Sequence, residues 1–205
     1  MLNPLFSLGV YLIEMLISYI FYSSLVEHKF TTIKTLLIGV GLFTLGSTVN
    51  ILLRNNGAIN VLTTWLINVC FAYFCFDSSL TKSMFYAAIL GIVNVALEVS
   101  VVTISSFVVG GSFLSYNDNF LLLVFQTITI KTLYFLITLL LINVLRPGDD
   151  CGTVPLDFLV YPVATTACQT IFWHICSQST TSRNVQILLS VSCLLYTSDA
   201  ADILR

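Results

Sequence analysis

Residues Phe120–Leu145 read FLLLVFQTITIKTLYFLITLLLINVL, and this run says more about the fold than any other part of the chain. Almost every residue in it is apolar, and Arg146 and Pro147 close it. As an α-helix it would reach about 39 Å, enough to cross a hydrocarbon layer of roughly 30 Å. The run therefore predicts a transmembrane helix. Its one charge, Lys131, lies near the middle, where a charge is costly and normally has a partner.

The composition extends this interpretation to the whole chain. Of 205 residues, 57% are hydrophobic and 9% are charged, and the mean hydropathy is +0.96. A soluble domain is about one quarter charged. Several further apolar runs are long enough to span a bilayer, so we predict an all-α, polytopic transmembrane helical bundle with the lipid bilayer as its surroundings. The net charge of −2 gives no indication of nucleic-acid binding.

The apolar runs predict six complete spans and a truncated seventh. Residues 193–202 read CLLYTSDAAD, which resembles the in-frame translation of a common transposase-based sequencing adapter. We therefore expect residues 193–205 to be an artefactual tail and residues 1–192 to be the transmembrane domain, interrupted within its last span. The predicted spans are residues 5–23, 35–53, 58–76, 83–108, 120–145, 156–177 and, truncated, 185–192.

The positive charges between the spans predict an orientation. Lys and Arg concentrate in cytoplasmic loops of membrane proteins. The odd-numbered loops hold more of them than the even-numbered loops, which places the N-terminus outside and a completed seventh span's end in the cytoplasm. The odd loops carry Lys29, Lys34, Lys82 and Arg146, and the even loops carry Arg54 and Arg183.

Polar and small residues recur at helical spacing along spans 1, 4 and 5. Such stripes mark helix–helix interfaces in membranes, so we expect them to face the interior of the bundle. They predict an intramembrane polar network of Glu14, Asn94, Glu98, Lys131 and Tyr134.

The expected depths of the charged residues predict an ion pair. Glu14, Glu98 and Lys131 all fall near the midplane, and the short connection between spans 4 and 5 makes these spans antiparallel neighbours. We predict that Lys131 pairs with Glu98 and that Glu14 is a second acceptor. Three interpretations remain open: the pair only locks helix packing, one of the two acids is protonated and inert, or the pair acts as a polar switch or part of a ligand cavity.

No catalytic, cofactor or metal constellation is predicted. His174 and Cys176 are two residues apart and would point about 200° apart on a helix, so they cannot form a nucleophile–base pair. His28 lies between Glu27 and Lys29 and is expected to be solvated. Five of the six cysteines lie in or beside apolar segments and no CxxC pair occurs, which favours buried thiols over a metal site. We therefore expect this chain not to be an enzyme.

Two stretches resemble a known family. FYSSLVEHKFTTIKTLLIGVGLF (residues 21–43) and CFDSSLTKSMFYAAIL (residues 75–90) resemble the N-terminal membrane region of Firmicutes GHKL-type sensor histidine kinases, the accessory-gene-regulator-type peptide receptors. The resemblance covers about residues 1–192. It implies a multi-pass sensor in the bacterial cell membrane, a secreted peptide signal, and a parent that works as a homodimer with its kinase domain after span 7.

The resemblance carries over no catalytic residue, because the family's phosphoacceptor histidine and ATP-binding motifs would follow span 7. The outer loop before span 5 supplies candidate ligand contacts, although the same side chains suit an interfacial aromatic anchor. They are Phe113, Leu114, Tyr116 and Asp118.

Two other functions compete with a sensor. A substrate-binding subunit of a small-molecule importer has a similar length and about six spans, and it would have a polar cavity. A membrane peptidase would need a Cys and a His that meet near the cytoplasmic face, and the sequence places no such pair.

Overall fold

The computed structural model describes residues 4–53, 57–109 and 120–145, and these residues form an all-helical bundle. The helices are α1 (Pro4–Leu25), α2 (Thr32–Leu52), α3 (Gly57–Cys75), α4 (Leu80–Val109) and α5 (Phe120–Leu145). The prediction of a helical, membrane-like bundle is confirmed. The predicted spans at residues 156–177 and 185–192 lie outside the described residues, as does the tail.

Among the described residues, four helical segments are long and apolar enough to cross a membrane: Pro4–Leu25, Thr32–Leu52, Leu80–Val102 and Phe120–Leu145. The third predicted span is different, because its apolar part, Asn60–Cys75, is shorter than these.

Helices α2 and α4 begin three residues before the predicted spans. The sequence interpretation assigned Lys34 and Lys82 to loops, whereas both lie in the first turn of a helix. A lysine at a helix end can extend its ammonium to the interface while its alkyl stem covers apolar surface. Ser79 accepts a hydrogen bond at 3.3 Å from the Lys82 backbone N–H and so caps the start of α4.

The five helices form a ring in chain order. Each helix packs against the next, and α5 closes the ring by packing against α1. The closing contact is parallel: Phe6 faces Phe120 near the starts of α1 and α5, with ring centroids 5.9 Å apart, and Glu14 meets Lys131 midway along both helices. Helix α1 also hydrogen-bonds across the ring to α3, through Tyr11 and Ser18.

Two glycines allow α2 to approach α1 and α3 closely. A Cβ atom at Gly39 would lie 3.0 Å from the Phe71 ring and 3.1 Å from Met15. A Cβ atom at Gly46 would lie 3.1 Å from the Tyr11 ring and closer still to Ile67. These glycines therefore lie at interfaces where small residues let helix backbones come together, as is usual in membranes.

Aromatic rings fill the core at the end of the bundle where α1 and α3 terminate. Phe21, Tyr22, Phe71 and Phe76 are fully buried. Tyr22 packs against Phe71 and Phe76, with ring centroids 6.2 and 5.6 Å away, and Phe71 meets Phe76 edge-on at 5.6 Å. The core of this end is thus apolar, whereas the middle of the bundle is polar.

The two connections at this end are hydrogen-bonded to each other. The backbone N–H of Lys29 donates to the Cys75 carbonyl at 3.0 Å, and that of Asp77 donates to the Glu27 carbonyl at 2.9 Å. His28 and Phe76 form an isolated antiparallel bridge between them. The α1–α2 and α3–α4 connections are therefore joined by backbone hydrogen bonds; we refer to residues 27–29 and 75–77 as the loop clasp.

Candidate functional site

Lys131 lies at the centre of a polar cluster midway along the bundle. Its side chain is only 7% exposed, although it carries an ammonium group. The Nζ atom donates to Glu14 Oε1 at 2.5 Å and to Asn94 Oδ1 at 2.8 Å, and it lies 3.7 Å from Glu98 Oε1. Three helices therefore contribute polar groups to one buried charge. We call Glu14, Asn94, Glu98 and Lys131 the polar cluster.

The order of Lys131's partners differs from the prediction. The sequence indicated Glu98 as the main partner, but Glu14 makes the direct hydrogen bond and Glu98 lies beyond hydrogen-bonding distance. The reason is the ring closure. The prediction relied on α4 and α5 being chain neighbours, whereas α5 also packs along α1 and brings Lys131 directly to Glu14.

Asn94 joins the lysine to the second carboxylate. Its side-chain oxygen accepts from Lys131 at 2.8 Å, and its amide Nδ2 donates to Glu98 Oε1 at 3.1 Å. Asn94 lies one helical turn before Glu98, so both side chains project from one face of α4. A single amide with a donor and an acceptor can thus bond to the ammonium and to a carboxylate.

Tyr134 lies one turn beyond Lys131 and is buried in the core. Lys131 Nζ is 5.8 Å from the centroid of the Tyr134 ring, within the range of a cation–π contact. All five residues of the predicted polar network are therefore brought together. Thr127 and Thr138 lie at helical spacing from Lys131 and Tyr134 on α5, but they are not part of the network, because their hydroxyls bond to carbonyls of their own helix.

Helix α3 contributes a polar face that the sequence interpretation missed. Tyr11 donates from its hydroxyl to Asn60 Oδ1 at 2.5 Å, and Ser18 donates to Asn68 Oδ1 at 2.6 Å. Asn60, Thr64 and Asn68 are spaced four residues apart, and this spacing was the available signal for a stripe. Uncharged amides and hydroxyls stand out less from an apolar run than a lysine or a glutamate does.

A small cavity lies between α1, α3, α4 and α5, next to the polar cluster. Glu14, Asn94, Glu98 and Tyr134 line it on one side, and α3 lines it on the other with Asn60, Val61, Thr64, Trp65 and Asn68. About 30 Å³ of it is open to the centres of water molecules. One water requires roughly 10–15 Å³ by this measure, so the cavity admits about two waters.

The remaining predicted residues are outside this site. Phe113, Leu114, Tyr116 and Asp118 lie outside the described residues, as do His174 and Cys176. His28 is exposed, and its ring lies 4.9 Å from that of Phe76 in the loop clasp. Within residues 4–53, 57–109 and 120–145, no three His, Cys, Asp or Glu side chains are grouped as a metal site would require.

Comparison with known proteins adds no relative. A scan against protein-family models, a search of curated proteins and a search of solved structures all find no match to this chain.

Proposed function

We propose that this chain is the membrane-embedded sensing region of a signalling protein, and that its parent is a bacterial sensor histidine kinase that detects a secreted peptide. The proposal includes six spans, the start of a seventh, and an external N-terminus. The observation that carries it is the buried Lys131 shared by α1, α4 and α5. The resemblance of residues 21–43 and 75–90 to the GHKL-type receptors supplies the class.

A sensor needs two arrangements of similar free energy, and the polar cluster supports such a pair. Lys131 has two carboxylates within 4 Å, at 2.5 and 3.7 Å, on different helices. A small movement of α5 exchanges one acidic partner for the other without leaving the ammonium unpaired. A ligand that favours one arrangement shifts the population by its difference in affinity for the two.

The connection between α4 and α5 is where we propose that the peptide binds. It contains Phe113, Leu114, Tyr116 and Asp118, and it joins the two helices that carry Glu98 and Lys131. A ligand that pulls this connection acts directly on the relative position of α4 and α5. In the homodimeric parent, the altered bundle would then set the activity of a cytoplasmic kinase domain.

The genomic sequence around this chain's gene provides a test of the proposed class of protein. The genomic sequence after codon 192 should continue in frame through a seventh span into a kinase domain with a phosphoacceptor histidine and ATP-binding motifs. A stop codon directly after Ser192 would contradict the proposal.

The recovered full-length protein tests the switch. Replacing Glu14 by Gln leaves Glu98 as the acidic partner of Lys131, so basal autophosphorylation should change several-fold. Glu27→Gln is the matched control, because Glu27 is an exposed glutamate in the loop clasp. Equal autokinase rates in the two variants would show that the partner of Lys131 does not set the output.

The second candidate is a membrane component of a solute importer, a class suggested by the presence of polar side chains around a cavity inside the bundle. The cavity admits about two waters in this arrangement, which is too little for a vitamin-sized solute. A reading frame that ends after a sixth span, beside genes for the energising subunits of a transporter, would support the importer instead.

A further inference from the structure

The polar cluster holds an excess of negative charge when all its groups are ionised. Glu14 and Glu98 are two carboxylates, and within the described part of the chain Lys131 is the one ammonium that contacts them. The described residues of α1, α3, α4 and α5 that line the cavity add no further cation. An uncompensated charge at membrane depth costs several kcal/mol, so a fully ionised cluster is unfavourable. One additional positive charge would neutralise it.

The geometry distinguishes the two carboxyl groups. Glu14 forms a direct charge-assisted hydrogen bond with Lys131, and its side chain is 9% exposed. Glu98 lies 3.7 Å from the ammonium, and its side chain is 29% exposed and lines the water-sized cavity. A carboxylate in a direct bond with an ammonium keeps its charge most readily. Glu98 is therefore the group on which an added proton is most stable.

We infer that the cavity beside Glu98 is a proton-binding site. Glu98 holds one proton on its carboxyl group while Lys131 is paired with Glu14. On release, the carboxyl O–H bond breaks and a water molecule in the cavity accepts the proton, which leaves a carboxylate and a hydronium ion. The ionised Glu98 then competes with Glu14 for Lys131. Proton occupancy is thus coupled to the packing of α5 against α1.

The groups that face Glu98 are few and come from three helices. Helix α1 presents Glu14, with Tyr11 one turn before it and bonded to Asn60, and α5 presents Lys131 and Tyr134. Helix α3 presents only uncharged side chains to the cavity, and the described part of α2 contributes no lining residue. Because the tyrosines are neutral near neutral pH, the proton balance of the described cluster depends on two carboxyl groups and one ammonium.

A proton suits this cavity better than a metal cation. Hard cations need several free oxygen ligands. The side-chain oxygens of Asn60 and Asn68 already accept hydrogen bonds from Tyr11 and Ser18, and that of Asn94 accepts from Lys131. A proton needs only the carboxyl group and a water molecule. This inference concerns the charge balance of the cluster and is independent of whether the parent is a kinase.

Infrared spectroscopy of the full chain in lipid nanodiscs counts the protonated carboxyl groups. Near neutral pH, the wild-type spectrum should contain the carbonyl stretching band of one protonated carboxyl group that is absent from the spectrum of Glu98→Gln. This band should shift in heavy water. The band should also vanish in Glu14→Gln, because one carboxylate then balances one ammonium. In Lys131→Met it should double, because two carboxyls are left without a cation. Exposed Glu27→Gln should match the wild type.

Specific outcomes would overturn the inference. One is a wild-type spectrum identical to that of Glu98→Gln. Another is a band that survives in Glu14→Gln at wild-type intensity. A third is a band that appears only when sodium is replaced by choline, because sodium and not a proton would then neutralise the cluster in sodium buffer. Because Glu14→Gln and Lys131→Met give opposite changes, the series still tests the charge balance of the polar cluster if Glu98→Gln does not fold.

Discussion

Glu14 and Lys131 lie 117 positions apart in the sequence, and Lys131 Nζ lies 2.5 Å from Glu14 Oε1. The contact joins the first described helix to the last and closes the ring of five. Both residues lie midway along their helices, so the bond forms at the depth where an unpaired charge is most costly. It holds α5 in register with α1 more specifically than apolar packing can, because a shift of one residue would separate the charges.

The first prediction concerns the energy of this pair. Lys131→Met should lower the free energy of unfolding in detergent by about 3 kcal/mol, because it leaves a buried carboxylate without its cation. Glu14→Gln combined with Lys131→Met should cost less than the sum of the two single changes, with a coupling of about 1–2 kcal/mol. Thermal or denaturant unfolding followed by circular dichroism measures each variant.

The same cycle with Glu98 should give a smaller coupling, because Glu98 lies 3.7 Å from the ammonium. Thr132→Val is the control on α5, since Thr132 is exposed and its hydroxyl bonds within its own helix. A larger coupling for Glu98 than for Glu14 would contradict the order of partners seen in the structure.

The second prediction concerns Asn94, which bonds to Lys131 and Glu98 with opposite ends of its amide. Asn94→Leu should destabilise the bundle by about 1–2 kcal/mol, because one acceptor and one donor in the polar cluster are lost. The measurement is again the unfolding free energy in detergent.

A matched control for Asn94 is Ser100→Ala on the same helix. The Ser100 hydroxyl donates to the Ala96 carbonyl of its own helix, so its loss should cost about a few tenths of a kcal/mol. Equal effects of Asn94→Leu and Ser100→Ala would mean that the amide does not connect α4 to α5 energetically.

The polar faces of α1, α4 and α5 were predictable because charged residues stand out from an apolar run. Helical spacing was enough to place Glu14, Glu98 and Lys131 on interior faces, without any knowledge of tertiary structure. The assignment of partners was not predictable in the same way. It depends on which helices pack together without being consecutive in the chain, and the local sequence contains no signal for the contact between α1 and α5.

The polar face of α3 was not predicted, and the reason is different. Asn60 and Asn68 have the spacing of a stripe, yet amides alone do not force burial as charges do. Their role becomes clear only when α1 supplies the hydroxyls of Tyr11 and Ser18 as donors. Burying an amide or a hydroxyl costs less free energy than burying a charge. Such residues are therefore identified as interface residues mainly through the partners that the structure shows.

The third prediction tests the contact between Ser18 and Asn68. Ser18→Ala removes the donor at 2.6 Å and leaves the Asn68 oxygen without this bond. Interhelical hydrogen bonds in membranes contribute about 0.6 kcal/mol on average, so a loss of that size is expected. Adding Asn68→Leu should recover part of it, because neither buried partner then remains unmatched. Ser24→Ala, at an exposed serine of α1, should leave the unfolding free energy unchanged.

The fourth prediction uses the close approach of α2. Gly46→Val should destabilise by about 1–3 kcal/mol, because its side chain would collide with Ile67 and Tyr11. Gly41 on the same helix is exposed and has no atom within 4 Å of its Cβ position, so Gly41→Val should cost much less. A comparison of thermal unfolding midpoints checks this, and similar midpoints for the two variants would show that α2 does not pack as closely as described.

The fifth prediction concerns the loop clasp and the end of α3. The Lys29 ammonium donates to the Tyr73 carbonyl at 2.8 Å and lies 5.2 Å from the centre of the Tyr73 ring. This carbonyl is in the last turn of α3, where acceptors lack partners within the helix and a positive charge is stabilising. Removing the charge should therefore loosen the end of α3 and the strand-like bridge that follows it.

Hydrogen–deuterium exchange of residues 73–79 measures this loosening. Lys29→Met should raise the exchange rate of the Asp77 amide by about two- to five-fold, as the loss of roughly 0.3–1 kcal/mol at an exposed helix end implies. Lys34→Met is the control, because Lys34 is an exposed lysine in the first turn of α2. If both variants exchange alike, the backbone bonds between Lys29 and Cys75 and between Asp77 and Glu27 hold the clasp without the ammonium. The opposite result would make Lys29 the residue through which salt in the surrounding water acts on this end of the bundle, since exposed charge contacts are the ones that ionic strength screens.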